Sequence, residues 1–125
     1  MDRDVRKILV VDDNSINLKL ADMLLRTRAG WKPVLVPSGK RALMFLERNR
    51  ADLILLDLMM PEEDGLKVLA KLRANPETKG IPVVFLTGVE DKQTIDKIKT
   101  QGIEDIVEKP FSQETLLAVV AKYLD

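Results

Sequence analysis

Cysteine and histidine are both missing from this sequence. Without cysteine there is no disulfide and no thiolate metal site. Without either residue, any bound metal must be a hard ion held by oxygen ligands. Charge of one sign is not in excess either: Lys and Arg number 20 and Asp and Glu number 20, for a formal net charge of zero. That argues against generic binding to nucleic acid, whose affinity comes from clustered cations. No apolar run approaches membrane-spanning length. The N-terminal Met1–Lys7 stretch leads into an apolar segment without a signal-peptide core, so a cytoplasmic location is expected. Repeats, low-complexity tracts and linkers are absent. The 125 residues, 46% hydrophobic and 32% charged, predict one globular domain over 1–125 with a single well-formed core.

The run Leu53–Leu56 organises the rest. Four consecutive apolar residues read as a strand buried on both faces. It stops on Asp57, followed by Leu58-Met59-Met60-Pro61 and by the turn and helix-start pair Asp64-Gly65. A carboxylate at the mouth of such a strand is costly unless something pairs with it. Ile8–Val11 is a second buried strand, and it too ends on carboxylates, Asp12 and Asp13. Asn14 or Ser15 caps a helix over about Ile16 to Arg28, closed by Ala29-Gly30. Its core side is expected to be Ile16, Leu20, Met23 and Leu24. A second stripe, Leu18, Ala21 and Leu25, packs on the final helix or else forms an exposed patch where a partner helix docks.

Lys32–Pro37 is a strand whose Pro33 belongs at a sheet edge. Ser38 caps a helix to about Asn49 that buries Ala42, Leu43 and Leu46. A third helix runs from Asp64 to about Asn75 over Leu66, Leu69 and Leu72. Ile81–Leu86 is a third buried strand, ending on Thr87-Gly88. A polar helix follows from about Asp91 to Gln101, with Ile95 and Ile98 inward, and ends at Gly102. Asp105–Glu108 is a weaker strand before Lys109-Pro110-Phe111, and Ser112 caps the last helix.

Strands alternating with helices predict an α/β fold: a doubly wound five-stranded parallel sheet with five helices. The three uninterrupted apolar strands belong inside and the Pro33 and Ile106 strands at the edges, which selects the flavodoxin-like order 2-1-3-4-5. In such sheets ligands bind beyond the carboxyl ends of the strands, between strands 1 and 3. That edge collects Asp12, Asp13, Asp57, Thr87 and Lys109. Clustered carboxylates call for a cation, and an open oxygen site suits Mg²⁺. A hydroxyl and an ammonium alongside suit anionic oxygens. Together they describe phosphoryl transfer onto an aspartate, with Asp57 as nucleophile. Each residue alone has a plainer reading: Asp12 or Asp13 as a cap, Thr87 as a turn hydroxyl, Lys109 as a surface charge. For Asp64 the cap is preferred.

Asp12-Asp13, Asp57 in Leu-Asp-Leu-Met-Met-Pro-Glu-Glu-Asp-Gly, Thr87 in Phe-Leu-Thr-Gly and Lys109 in Glu-Lys-Pro-Phe, in that order, give the whole chain its likeness. It resembles the receiver domain of bacterial two-component response regulators, including stand-alone chemotaxis regulators. The resemblance implies that Asp57 takes a phosphoryl group from a histidine kinase or histidine phosphotransfer protein. It implies Mg²⁺ held by Asp13, Asp57 and the Met59 carbonyl, with Asp12 acting through water. Thr87 and Lys109 would contact the phosphoryl oxygens, and Lys109–Pro110 would be cis. A signalling domain rather than an enzyme is implied, monomeric or dimerising on phosphorylation. An output protein would read the face of the last two helices and fifth strand, whether the domain stands alone or belongs to a longer chain.

The sequence departs from the family at Ile106, where an aromatic ring is usual, and at Gly88, where alanine is more frequent. Met59 and Val89, two residues past Asp57 and Thr87, have side chains that cannot orient an attacking water, so a long-lived phosphate is expected. The alternative is a Mg²⁺-dependent aspartyl-nucleophile phosphohydrolase, which would need Asp-x-Asp after strand 1. A flavodoxin-type cofactor binder would need a Ser/Thr/Gly-rich loop there. Asp12-Asp13-Asn14 supplies neither. A receiver that no longer takes phosphate is the remaining reading, and the intact acids, Thr87 and Lys109 oppose it.

Overall fold

The computed structural model describes residues 5–60, 63–88, 96 and 105–125. Strand β1 (Arg6–Val11) leads into helix α1 (Ser15–Leu25). Asn14 caps that helix, its side-chain oxygen accepting from the N–H groups of Ile16 and Asn17. Gly30, at φ 87°, turns the chain into β2 (Trp31–Val36), a left-handed conformation glycine adopts without steric cost. Ser38 caps α2 (Gly39–Leu46), which precedes β3 (Leu53–Asp57). A small antiparallel pair, β4 (Met59–Met60) with β5 (Glu63–Asp64), follows. Asp64 then caps α3 (Gly65–Ala74), accepting from the Leu66 N–H. The remaining elements are β6 (Val83–Thr87), β7 (Asp105–Glu108) and α4 (Gln113–Leu124), the last capped by Ser112.

The five long strands form one parallel sheet in the order β2-β1-β3-β6-β7, which is 2-1-3-4-5 counted within the sheet. Pro33 lies on the edge strand β2, opposite Ile8, where a missing N–H can be tolerated. Alternation sends neighbouring residues of each strand to opposite faces. Leu9, Val11, Ile54, Leu56, Val83 and Phe85 pack with α2 and α3 on one face. Ile8, Val10, Leu53, Leu55, Val84 and Leu86 pack with α1 and α4 on the other.

Three expectations need correction. The described residues hold four helices rather than five. The helix expected over about 91–101, with Ile95, Ile98 and Gly102, lies outside the described residues except for Asp96, which is helical. Helices α1 and α2 stop at Leu25 and Leu46, short of Arg28 and Asn49. The core face of α1 is also rotated from the expected one. Ala21 and Leu25 are fully buried, with Leu18 beside them, in the cluster that holds Leu116, Val120 and Leu124 of α4. Leu20 and Leu24 are partly buried against the same cluster. Ile16 and Met23 are 74% and 68% exposed. Among the described residues no helix is long and apolar enough to cross a membrane.

Candidate functional site

Four of the five strands of the parallel sheet, β1, β3, β6 and β7, bring polar groups to the same edge. Asp12 and Asp13 follow β1 and Asp57 ends the neighbouring β3. Thr87 ends β6, and Lys109 follows β7 directly. Asp12, Asp57 and Thr87 are buried, while Asp13 is exposed. One carboxylate oxygen from each of Asp12, Asp13 and Asp57 lies within 4.8 Å of the others.

Lys109 closes the group. Its ammonium donates to Asp57 Oδ1 at 3.0 Å and reaches Asp12 Oδ2 at 3.5 Å. Its own N–H donates to the Thr87 carbonyl at 2.7 Å, and the following Lys109–Pro110 bond is cis. So β6 and β7 fix the backbone from which the side chain extends. Asp12 is held at both oxygens, because Oδ1 also accepts from the Asn14 N–H at 2.9 Å. Asp12 is thereby oriented by the turn into α1, leaving Asp13 as the solvent-facing acid. The Thr87 hydroxyl donates to the Gly88 carbonyl at 3.3 Å, long for an O–H···O bond and easily exchanged for a better acceptor. Met59 stands two residues past Asp57 at the start of β4, opposite Asp64. A Cβ at Gly88 would meet nothing within 4 Å, so glycine there is not a steric requirement.

Three carboxylates set against one ammonium give the cluster a formal charge of minus two. Like charges this close repel one another, and a bound cation relieves that repulsion. A hard divalent ion fits the donor set, which is all oxygen in a chain without histidine or cysteine, and an exposed member gives it a way in.

The structure therefore brings Asp12, Asp13, Asp57 and Lys109 into one group and ends the adjacent strand on Thr87. Sequence reasoning missed two contributors. Asn14 was visible as a cap but not as the N–H that holds Asp12. Gly65 was visible as a turn residue but not as the point where α3 meets the backbone of Asp57 and Leu58. Val89 lies outside the described residues, and Ile106 is half-buried against the α2–α3 core.

The chain matches the family described as the response regulator receiver domain over residues 8–121. It is 31% identical over 119 residues to the polar-differentiation response regulator DivK of Brucella anthropi, covering 95% of this chain and 96% of that protein. Among solved structures, chemotaxis protein CheY4 of Vibrio cholerae is 27% identical with a TM-score of 0.86, covering 95% of this chain and 98% of that one. The receiver domain of a sensor histidine kinase from Pseudomonas aeruginosa, solved with a magnesium ion coordinated in its active-site cleft, is 28% identical with a TM-score of 0.85. That match covers 96% of this chain and 98% of the other. With the acidic cluster, the strand order and the matched span all in agreement, the chain belongs to the response regulator receiver domain family of two-component signalling.

Proposed function

We propose that this single domain is a phosphoacceptor whose Asp57 carboxylate receives the phosphoryl group of a phosphohistidine on a kinase or phosphotransfer protein. One observation carries the reading: Asp57 Oδ1 accepts from Lys109 at 3.0 Å while the same carboxylate clusters with Asp12 and Asp13. A carboxylate so placed has a cation-binding flank and a phosphate-oxygen flank.

Asp13, Asp57 and the Met59 carbonyl would hold Mg²⁺, with Asp12 contributing through water. The ion would supply charge neutralisation at the transferring phosphoryl oxygens. Asp57 forms the new O–P bond as the N–P bond of the donor breaks, and the departing imidazole nitrogen keeps the electron pair. Lys109 turns its ammonium to the phosphoryl oxygens, and the Thr87 hydroxyl gives up Gly88 to donate to them. Asp12, tethered by Asn14, keeps the acidic side in register. The exposed Ile16 and Met23 on α1, the helix that begins just past Asp13, support that helix as the donor's landing surface.

The domain works as a signalling switch in the cytoplasm, not as an enzyme with turnover of its own. Its output protein reads the face of β7 and α4 together with the segment before β7. With Ile106 at the position usual for a ring, no aromatic swing carries the signal. Incubation with acetyl phosphate and Mg²⁺, followed by mass spectrometry, tests the assignment. One phosphoryl group on Asp57, absent from Asp57→Asn, supports it. Catalytic hydrolysis of a phosphomonoester with no stable adduct favours the phosphohydrolase reading instead.

A further inference from the structure

Gly65 is the first residue of α3 and is buried. Its N–H donates to the Leu58 carbonyl at 3.0 Å, so the helix begins in direct contact with the backbone that carries Asp57. A Cβ added at Gly65 would fall 2.9 Å from the Asp57 carbonyl oxygen, 2.9 Å from Leu58 Cα and 3.0 Å from the Leu58 carbonyl oxygen. All three are backbone atoms, so no side chain can rotate aside. Backbone angles do not demand this glycine, because among the described glycines only Gly30 has a positive φ. Helix propensity opposes it, since glycine weakens a helix relative to alanine. What position 65 requires is space.

The Asp57–Leu58 peptide has little freedom to yield. Leu58 N–H donates to the Leu86 carbonyl at 3.0 Å, and Asp57 pairs with Leu86 across the β3–β6 ladder. A side chain at 65 must lift α3 away, losing the bond to Leu58, or displace the backbone of Asp57. Displacement moves a carboxylate that lies 3.0 Å from Lys109 and shares a 4.8 Å cluster with Asp12 and Asp13. Hydrogen bonds and octahedral oxygen coordination tolerate errors of only tenths of an ångström.

We infer that Gly65 is a positioning residue: the close approach of α3 to the Asp57–Leu58 peptide sets where the phosphoacceptor carboxylate stands. The inference rests on the reading of Asp57 as phosphoacceptor. Gly65→Ala is compared with wild type and with Gly80→Ala, whose added Cβ meets nothing within 4 Å. Three quantities are read on the full chain: Mg²⁺ affinity by calorimetry, the rate of Asp57 phosphorylation by acetyl phosphate, and the thermal midpoint.

Gly65→Ala is expected to keep its circular dichroism spectrum and lose about tenfold or more in both Mg²⁺ affinity and rate, with Gly80→Ala unchanged. A folded Gly65→Ala with wild-type affinity and rate overturns the inference. Should the variant unfold, the measurements are repeated in trimethylamine oxide, which favours burial. Refolding there with wild-type binding, or failure to refold at all, assigns Gly65 a role in folding alone and overturns it equally. Failure of the parent reading shows separately, as a wild type that takes no phosphoryl group on Asp57. Gly65 is then judged on Mg²⁺ affinity alone.

Discussion

The ammonium of Lys109 stands 3.0 Å from an oxygen of Asp57, joining the strand at one edge of the sheet to the strand at its centre. The Asp57 side chain is buried and that of Lys109 is 21% exposed, so the pair is shielded on one side and reachable on the other. Removing one partner of a buried ion pair costs about 3–5 kcal/mol. Partial exposure lowers the expected cost of Lys109→Met to roughly 1–3 kcal/mol in metal-free buffer. Urea unfolding with chelator present measures this. An unchanged midpoint would mean that water, not Lys109, compensates Asp57.

Asp13 should behave in the opposite way. It adds a like charge to a cluster within 4.8 Å, so Asp13→Asn relieves repulsion of about 1 kcal/mol. Without metal the variant should melt about 3–6 °C above wild type. Saturating Mg²⁺ reverses the ranking, because at a hundredfold excess over Kd a bound ion adds about 2.7 kcal/mol to the protein that holds it. Calorimetric scans with and without Mg²⁺ check both halves. A variant less stable than wild type in chelator contradicts the repulsion argument.

The two sides of α1 separate core from surface. Leu25 is fully buried, and Leu25→Ala is expected to cost about 2–5 kcal/mol. Ile16→Ser and Met23→Ser should each stay within about 0.5 kcal/mol of wild type. Denaturation midpoints decide it, and a large loss at Ile16 would place the core on the other side of the helix.

Phosphate on Asp57 should persist. Met59 and Val89 have no side-chain group that orients water for attack. In Mg²⁺ buffer, decay of the radiolabelled adduct is expected to take minutes or longer. Disappearance within seconds contradicts this, and a slowing by Met59→Leu would then implicate the thioether.

The strand order was readable because three strands lacked any polar interruption and Pro33 could sit only at an edge. The caps at Ser38, Asp64 and Ser112 were readable because a short polar side chain before an apolar period has one main use, and for the first helix the same rule left Asn14 and Ser15 as equal candidates. The phase of α1 was not. Its apolar residues run most of the way around the helix, so periodicity allows two faces, and tertiary packing settles on the one carrying small Ala21. Gly65 was opaque for a related reason. Its role depends on where α3 lands against β3, a distance set by the whole sheet. That the five candidate residues share one edge of the sheet was readable because strand ends converge once the order is known. Asn14's hold on Asp12 needed coordinates.

The proposed mechanism needs one acidic pocket to gather a divalent ion and let Asp57 carry a phosphoryl group. A crystal grown with Mg²⁺ and beryllium fluoride, an aspartyl-phosphate mimic, addresses it directly. The ion is expected among Asp13, Asp57 and the Met59 carbonyl, with the mimic on Asp57 between Thr87 and Lys109. A pocket holding neither, or a mimic attached to another residue, would contradict it.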